Sequence, residues 1–301
     1  MHARLTRRPS RRPRMVRIML LTMPAFRFLS VRAAVGAVLL ASAFALAACA
    51  DDDTSKEPEY VERPVEDIYN AALKLSDKEE WTQAAKQFDE VERQHPYSAW
   101  ARRAMLMSAF CYYQANKYDE AIAAADRFIQ LHPGNKDAPY AYYLKAVSLY
   151  EQIVDVGRDQ EKTRTALAAL EDLIQRFPGT SYARDAQLKA DLTRDHLAGK
   201  EMDVGRYYLL KGQYIAAINR FRTVIEKYQT TSHCPEALER LTEAYMALGI
   251  TKEAQTAAAV LGYNYPGSDW YHDSYALLTK SDLAPKEDKA SWISKAFHTV
   301  F

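Results

Sequence analysis

Glycine and the alternating patterns typical of β-strands are scarce in this chain. Ten glycines occur in 301 residues, and β-branched residues rarely alternate with polar ones, so a large sheet is not expected. Several enzyme motifs are also missing: there is no phosphate-binding glycine loop, no nucleophile elbow, no His-Glu-x-x-His and no Cys-x-x-Cys. The sequence therefore predicts an all-α protein that is not an enzyme and holds neither metal nor cofactor.

Cysteine is scarce as well, with three in the chain. Cys111 and Cys234 lie three helical pairs apart in the repeat scheme given below. A disulfide needs Cα atoms within about 7 Å of each other, so two separate thiols are expected. The third cysteine, Cys49, lies in a different setting.

Acidic residues are absent from positions 1–48, which contain nine arginines. The arginines are followed by an almost wholly apolar run from Ala33 to Ala48. This run is too short to cross comfortably a bilayer of roughly 30 Å. Residues 1–48 are therefore interpreted as a signal peptide, with a retained membrane helix as the alternative.

The apolar run ends in Leu46-Ala47-Ala48-Cys49, which resembles the bacterial lipobox. That resemblance implies cleavage before Cys49 and its modification by a diacylglycerol and an N-acyl lipid. Residue 50 is alanine, whereas an aspartate there would favour the inner membrane, so the outer membrane is expected. Residues 49–63 are acidic, contain proline and lack apolar periodicity, which predicts a flexible tether behind the acylated cysteine.

Removal of the signal peptide reverses the sign of the net charge. Of the 40 basic residues nine are lost, which leaves 31 against 39 acidic ones. Binding to phosphate backbones requires clustered Lys and Arg. An acidic mature chain therefore argues against nucleic acid as a partner.

From Pro64 onward, helical patterns are broken at regular points by a helix stop, a turn and a capping residue. We call the residue fifteen positions before the proline of each break the anchor of that unit. In one unit Gln229 stands in the place of the proline, and the anchor is counted back from it. Three residues after every anchor stands an alanine: Ala84, Ala121, Ala166, Ala217 and Ala254. Large apolar residues follow at offsets of seven and ten in most units, so these positions share one helix face.

This pattern resembles the tetratricopeptide repeat, a helix-turn-helix unit that stacks into a superhelix. An array is predicted over residues 64–275, in five units near 65–98, 102–135, 138–180, 182–230 and 235–268. Residues 153–160 look like an insertion within the third unit. Residues 276–301 are expected to form an amphipathic tail, with a helix from Lys286 that caps the array; a partner-binding or membrane-surface element is the alternative.

In a tetratricopeptide superhelix the first helices line the concave side. The groove-facing positions predicted for the first three repeats hold mostly aromatic residues: Tyr69, Leu73, Arg103, Leu106, Phe110, Tyr113, Tyr140, Tyr143 and Tyr150. Tyrosine rings offer contact area and hydroxyl groups together, which suits an extended peptide. For each individual tyrosine, the alternative is a place in the core between repeats.

Three segments carry a more specific resemblance than the repeat itself. They are residues 67–72 with Trp81, residues 126–133, and Tyr207 and Tyr208 with Gly212 and residues 219–220. These segments resemble the BamD family of outer-membrane protein assembly factors. Together with the lipobox-like motif and the five repeats, the resemblance covers essentially the whole mature chain.

The resemblance implies a non-enzymatic lipoprotein on the periplasmic face of the outer membrane. Its N-terminal repeats would receive the C-terminal targeting strand of unfolded β-barrel proteins, and its C-terminal repeats would bind the periplasmic domains of BamA. Arg220 matches the family arginine that is associated with the BamA contact. Other assembly lipoproteins are further candidate partners.

Two other classes of function stay open at the level of sequence. One is a tetratricopeptide lipoprotein that organises cell-wall synthesis or envelope constriction. The other is an enzyme whose site is assembled from scattered residues such as His196, Glu201 and Asp203.

Overall fold

The computed structural model describes residues 62–298, apart from the side chain of the last of these, and all regular structure within this range is helical. The predictions of a signal peptide, of acylation at Cys49 and of most of the tether lie outside the described residues. So does the end of the C-terminal tail.

Twelve helices follow one another along these residues. They are α1 (Val65–Asp77), α2 (Trp81–Gln94), α3 (Ala99–Gln114), α4 (Tyr118–Leu131), α5 (Ala138–Tyr150), α6 (Glu161–Arg176), α7 (Ser181–Leu210), α8 (Tyr214–Lys227), α9 (Cys234–Ala247), α10 (Thr251–Asn264), α11 (Asp269–Thr279) and α12 (Trp292–His298). The helices α1 to α10 form five consecutive pairs. The prediction of an all-α superhelix with five helix-turn-helix units is confirmed.

Each second helix is held in its pair by the alanine of the sequence pattern. All five of these alanines, from Ala84 to Ala254, are fully buried. Large residues on the same face, such as Phe88 and Phe221, are fully buried too. A small residue at the crossing point lets two helix backbones approach closely, and the larger neighbours then fill the space on either side.

The breaks between units have a local cause. The second helices α2, α4, α6 and α10 each end two residues before a proline. Helix α2, for example, ends at Gln94, which is followed by His95 and Pro96. A residue before proline is pushed out of the helical region, and His95 adopts φ −133° and ψ 57°. The next helix then begins at a capping side chain, as where Ser98 Oγ accepts a hydrogen bond from Ala101 N at 3.0 Å. This cap explains why α3 begins three residues before the predicted position 102.

The stack curves toward its first helices. Within residues 62–298, each first helix has Cα atoms within 8 Å of the first helix of the next unit, whereas the backbones of successive second helices lie farther apart. Long side chains bridge that wider gap, as where Arg127 on α4 pairs with Asp89 and Glu92 on α2 at 3.4 Å. Helices α1, α3, α5, α7, α9 and α11 therefore line the inner side of the curve. Helices α2, α4, α6, α8 and α10 form its outer side.

The third unit contains the predicted insertion as a loop over residues 151–160. Gln160 organises it, because its Nε2 donates to the carbonyl oxygens of Asp155, Val156 and Arg158 at 3.1 to 3.3 Å. The side chain of Gln160 is buried, with 3% exposure of the residue. The two N–H bonds of one amide are thus shared among three carbonyl groups of a loop that has no helix or strand.

The two remaining thiols lie in different cores. Cys111 packs in the hydrophobic cluster of the first two units, and Cys234 packs in the cluster of the last two. Both are buried and free.

The C-terminal tail differs from the prediction in two ways. The predicted boundary between residues 275 and 276 is wrong, because it falls within α11. The tail helix begins at Trp292 and not at Lys286, since the backbone N–H of Lys286 donates to the carbonyl oxygen of Gln255 at 3.3 Å, outside the tail. The tail therefore first runs along α10 and only then turns into a helix.

Helix α12 packs on the array, as expected of a cap. Ile293 and Phe297 are buried in the core cluster of the last two units. Trp292 Nε1 donates a hydrogen bond to the hydroxyl of Tyr245 at 3.0 Å, and the guanidinium of Arg222 lies 4.8 Å from the centre of the Trp292 ring. These contacts join the tail to α8 and α9.

We expect Ile293→Ala to destabilise the protein by about 2 to 4 kcal/mol, because the loss of a fully buried branched side chain leaves a cavity in the core. The matched control is Lys289→Ala, at an exposed position of the same tail. Chemical denaturation followed by circular dichroism measures both. Equal stability of the two variants would show that the tail is not part of the cooperative fold.

The last unit also buries an ionisable group. Glu239 on α9 is 6% exposed, and the closest cation, Arg240 Nε at 3.3 Å, is shared with Glu236 at 3.6 Å. Burial raises the pKa of Glu239 from 4.5 to about 7; Arg240 opposes this shift, and the carboxylates of Glu243, Asp273 and Glu236 add to it. The folded state therefore holds the Glu239 proton more tightly than the unfolded state does.

Stability should consequently fall as pH rises from about 4.5 through 7, because Glu239 must then ionise in a buried position. We expect Glu239→Gln to remove on the order of 3 kcal/mol of this penalty at pH 8 and to have little effect at pH 4.5. Denaturation midpoints across this pH range measure the difference from wild type. Glu226→Gln, in an exposed pair with Arg222, is the control and should not change the pH profile.

Candidate peptide-binding groove

The predicted groove residues lie on the first helices of the first three units, and the structure separates them into groups. Tyr69 is 8% exposed, and its ring centre lies 5.3 Å from Phe88 and 4.8 Å from Trp100. Tyr69 is thus a core residue between α1, α2 and α3, and its assignment to the groove is wrong. Leu106 is buried as well. Tyr69 packs against α2 and α3, and Leu106 packs in the core cluster of α3, α4 and α5.

Four tyrosines from three consecutive units lie close together on the inner side. Tyr182 on α7 has its ring centre 5.5 Å from that of Tyr140 and 5.2 Å from that of Tyr143, both on α5. Tyr113 on α3 is near enough to both α5 tyrosines to raise the pKa of each. We call Tyr113, Tyr140, Tyr143 and Tyr182 the tyrosine cluster. All four side chains are half-buried.

Tyr182 was not among the predicted groove residues. The prediction covered only the first three units, whereas Tyr182 belongs to the fourth. It lies near the start of a first helix, as Tyr140 does in the third unit. The repeat register could therefore have identified it.

The hydroxyl groups of Tyr113, Tyr140 and Tyr143 stay protonated at physiological pH, because the pKa of each is raised. Burial raises the pKa of Tyr140 to about 12. The pKa values of Tyr113 and Tyr143 are also raised, mainly by burial and further by the carboxylates of Glu151 and Asp185 respectively. Protonated phenols can donate hydrogen bonds to backbone carbonyl groups. The cluster thus combines an apolar surface with fixed donors.

Tyr143 is the oriented member of the cluster. Its hydroxyl donates to Asp185 Oδ2 at 2.9 Å, and Lys189 Nζ lies 3.5 Å from the same oxygen. Lys189 also lies over the ring of Tyr150, at 5.3 Å from its centre. The carboxylate of Asp185 on α7 therefore connects the first helices of the third and fourth units.

The other predicted groove residues lie around this centre. Phe110 contacts Trp81 edge to face, with ring centres 5.9 Å apart, and Tyr150 packs on the core of the third and fourth units. Arg103 is exposed near the start of α3. It lines a separate cavity, and the structure does not place it in the tyrosine cluster.

Arg220 lies on the outer side, on the second helix α8. Its side chain is 45% exposed, and Nη1 lies 3.2 Å from Glu201 Oε2 on α7. The neighbouring Asn219 borders a shallow apolar depression with Ile215 and Leu248. Ile215 is 69% exposed and Leu248 is 38% exposed. Contiguous exposed apolar side chains beside a cation are typical of a protein contact surface.

Of the scattered residues considered for an enzyme, His196 and Asp203 line one cavity and Glu201 lines another. His196 Nε2 lies 2.9 Å from the carbonyl oxygen of Val154, Glu201 pairs with Arg220, and Asp203 pairs with Arg206. Between residues 62 and 298, no group of His, Cys, Asp or Glu side chains has an arrangement that could hold a metal ion. None of the helices in that range has the length and apolar composition of a membrane span.

Comparison with known proteins adds to this geometry. Residues 61–261 match the YfiO family model, which describes an outer membrane lipoprotein. The outer membrane protein assembly factor BamD of Caulobacter vibrioides is 54% identical over 251 residues, covering 83% of this chain and 82% of that protein. The chain belongs to the BamD family.

Other family members are similar over comparable lengths. The BamD of Rickettsia prowazekii is 47% identical over 225 residues, covering 75% of this chain and 90% of that protein. The BamD of Neisseria meningitidis serogroup A is 35% identical over 236 residues, covering 74% and 88%. A tetratricopeptide-repeat protein of Thermus thermophilus is a structural neighbour with 17% identity and a TM-score of 0.33, covering 72% of this chain and 100% of that one.

The hydrogen bond of Tyr143 gives a test of the groove geometry. We expect Tyr143→Phe to lower the free energy of unfolding by about 1 kcal/mol, because Asp185 loses a donor in a half-buried site. Tyr140→Phe is the matched control, since the structure shows no hydrogen bond from that hydroxyl to residues 62–298. Thermal melts of both variants measure the effect, and an equal loss would contradict the Tyr143–Asp185 contact.

Proposed function

We propose that this protein is a non-enzymatic scaffold in outer-membrane protein assembly. Its inner groove receives an extended segment of an unfolded β-barrel protein, and its outer surface around Arg220 binds periplasmic domains of BamA. Membership of the BamD family supports the overall role. The observation that carries the proposal is the convergence of four tyrosines from α3, α5 and α7 on one inner surface.

The chemistry of the tyrosine cluster suits a barrel strand before it folds. Such a strand alternates apolar and polar side chains, and its backbone N–H and C=O groups have no partners yet. Half-buried rings supply contact area to the apolar side chains, while the phenol groups of Tyr140 and Tyr182 supply donors to the carbonyl groups. Because the rings contact each other, little side-chain entropy is lost when a peptide binds.

The outer surface suits a folded partner. Arg220 offers a cation whose present acceptor, Glu201, lies at 3.2 Å and is 23% exposed. Apolar side chains flank Asn219 beside it. A partner that presents a carboxylate next to an apolar patch would match both features.

A lipid anchor at Cys49 and a place on the periplasmic face of the outer membrane are part of the same proposal. The support is the lipobox-like sequence that ends at Cys49 and the match to a family described as outer membrane lipoproteins. More than one acyl chain on a single cysteine gives durable attachment, whereas one chain gives only marginal binding.

The mechanism follows from the two separate surfaces. The tyrosine cluster lies on the inner side of units two to four, and Arg220 lies on the outer side of unit four. A rigid array that holds a strand on one surface and BamA on the other raises the local concentration of the strand near BamA. The protein makes and breaks no covalent bond in this scheme.

The groove is tested with a fluorescein-labelled decapeptide of alternating polar and apolar residues, ending in phenylalanine carboxamide. We expect Tyr143→Ala combined with Tyr182→Ala to weaken its binding by about tenfold or more, because two stacked rings are removed. Tyr263→Ala, at an 87% exposed tyrosine of α10, is the control. Fluorescence anisotropy with the lipidated protein in detergent measures affinity. Unchanged binding by the double variant would exclude the cluster as the peptide site.

The outer surface is tested by affinity purification from detergent-solubilised envelopes. We expect wild type to recover BamA and Arg220→Glu to lose most of it, since a repulsive charge replaces an attractive one. Arg176→Glu changes an exposed arginine on another second helix and should recover BamA normally. Quantitative mass spectrometry measures the recovery. Equal recovery by all three proteins would remove Arg220 from the contact.

A further inference from the structure

Two turns at the ends of helices carry exposed apolar side chains that the proposed function does not use. They are the turn between α7 and α8 and the turn between α9 and α10. Leu210 is 87% exposed, Tyr207 is 58% exposed and Ile250 is 44% exposed. Lys211 and Lys252 beside them are exposed as well. We call these five residues the tip surface.

The two turns lie side by side. Leu248 of the second turn lines the same shallow depression as Gly212 and Ile215 of the first. Ile215 and Leu248 already belong to the surface beside Arg220, so the tip surface extends that apolar area over the ends of the helices. A contiguous exposed apolar area is typical of an interaction site, whereas single exposed apolar residues are normal.

The conformation of these turns does not require apolar residues. The backbone N–H of Ile250 donates to the carbonyl oxygen of Tyr245 at 2.9 Å, and the turn between α7 and α8 has the equivalent bond. The turn between α1 and α2 makes the same bond, from Glu80 to Leu75 at 3.0 Å. The repeat therefore supplies its own comparison of one turn with different side chains.

In that comparison the first unit is acidic where the last two units are apolar. By the shared hydrogen bond, Asp77 of the first unit is equivalent to Leu210 of the fourth, and Glu80 is equivalent to Ile250 of the fifth. Asp77 and Glu80 are exposed, as their counterparts are. The apolar side chains at the tips are thus a property of one end of the array and not of the turn.

The charge of the tip surface also differs from that of the mature chain, which has an excess of acidic residues. Residues 204–219 and 244–252 contain lysine or arginine but no acidic residue. The next acid along the chain, Glu253, faces the tail, where its Oε2 accepts a hydrogen bond from Ser291 Oγ at 2.6 Å. A locally cationic area on an acidic protein favours an anionic partner.

An apolar area edged by lysine fits a lipid surface better than a protein. Lysine is depleted in protein interfaces, whereas at a bilayer its long side chain reaches the phosphates while apolar residues enter the acyl boundary. Tyrosine is enriched at the same depth, and Lys211 Nζ lies 5.8 Å from the ring centre of Tyr207. The proposed anchor keeps a bilayer near, because the chain from Cys49 to Arg63 can span at most about 50 Å.

We propose that the tip surface rests on the bilayer that holds the lipid anchor. Leu210 and Ile250 enter the boundary between head groups and acyl chains, and Lys211 and Lys252 meet the phosphates of anionic phospholipids. The fourth and fifth units then face the membrane, and the acidic turn of the first unit stays away from it. This inference goes beyond the proposed function and takes from it only the lipid anchor. Two points of attachment fix the orientation of the array, which one anchor at the end of a tether cannot do.

The test measures depth in the bilayer at single sites. Leu210→Cys and its control Asp77→Cys place a thiol at equivalent turns of the fourth and first units. Cys111 and Cys234 are buried and stay unlabelled, and Cys49 carries the proposed lipid. Each full-length, lipidated variant is labelled with the fluorophore nitrobenzoxadiazole and bound to preformed vesicles of phosphatidylethanolamine and phosphatidylglycerol.

Nitroxide groups on the acyl chains of the vesicle lipids quench a fluorophore that lies at their depth. We expect the emission of the label at Leu210→Cys to fall by about half or more, and that of the label at Asp77→Cys by about a tenth or less, because only the first enters the acyl boundary. Flotation of the same samples measures attachment through the anchor.

The lysines are tested in the Leu210→Cys background. We expect Lys211→Gln combined with Lys252→Gln to reduce the quenching about twofold or more, and high salt to act in the same direction, because attraction to anionic lipid is lost. The control is Lys74→Gln combined with Lys78→Gln, at exposed positions around the turn of the first unit. It should leave the quenching unchanged, and circular dichroism checks that all variants keep the fold.

The outcomes separate the tip surface from the anchor. If the protein floats with the vesicles but the two labels are quenched equally, the anchor stands and the tip proposal is wrong. If no variant floats, the proposed anchor fails and the tip proposal fails with it. If the label at Leu210→Cys ignores the nitroxide lipids but shifts to shorter wavelength when periplasmic domains of BamA are added, the tips bind protein and the lipid proposal is overturned.

Discussion

The close approach of two helices at one buried alanine is the constraint on which the rest of this structure depends. In every unit the alanine leaves room for the backbone of the neighbouring helix, and larger apolar residues on either side, such as Phe88 and Phe221, fill the remaining space. No single pair can bury its apolar face, so each unit is stable only against the next. Stacking is therefore obligatory, and the array behaves as one curved body.

The curvature decides where the two surfaces lie. The backbones of first helices approach one another closely from unit to unit, whereas those of second helices lie farther apart. Side chains of different units consequently converge on the inner side, as the tyrosines of α3, α5 and α7 do. On the outer side they diverge, and a residue such as Arg220 is presented singly with its flanking apolar patch. The proposed capture of a peptide and the proposed attachment to a folded partner thus use different sides of one scaffold.

Polar groups inside the array are positioned by the irregular segments. Gln160 satisfies three loop carbonyls in the third unit, and the N–H of Asp288 in the tail donates to Thr256 Oγ1 at 3.1 Å. These contacts let non-helical backbone pack on helices without leaving its hydrogen-bonding groups unpaired. The loop of the third unit and the C-terminal tail therefore depart from the ideal repeat at little cost in stability.

The sequence by itself determined the helical class, the number of units and their breaks. These features are local, since proline excludes the helical conformation before it and serine or threonine caps the helix after it. The family resemblance was also visible in short segments of sequence. Register across units was less accessible, and Tyr69 shows the limit: its position in the repeat predicts the groove, but its ring packs between Phe88 and Trp100.

Only the tertiary structure decided which side chains meet. The contact of Tyr182 with Tyr140 and Tyr143 and the hydrogen bond from Tyr143 to Asp185 join residues from different units. Their distances depend on the angle between successive units, which is set by the packing of many side chains together. A repeat pattern specifies the fold of each unit, and the packing between units specifies the binding surface.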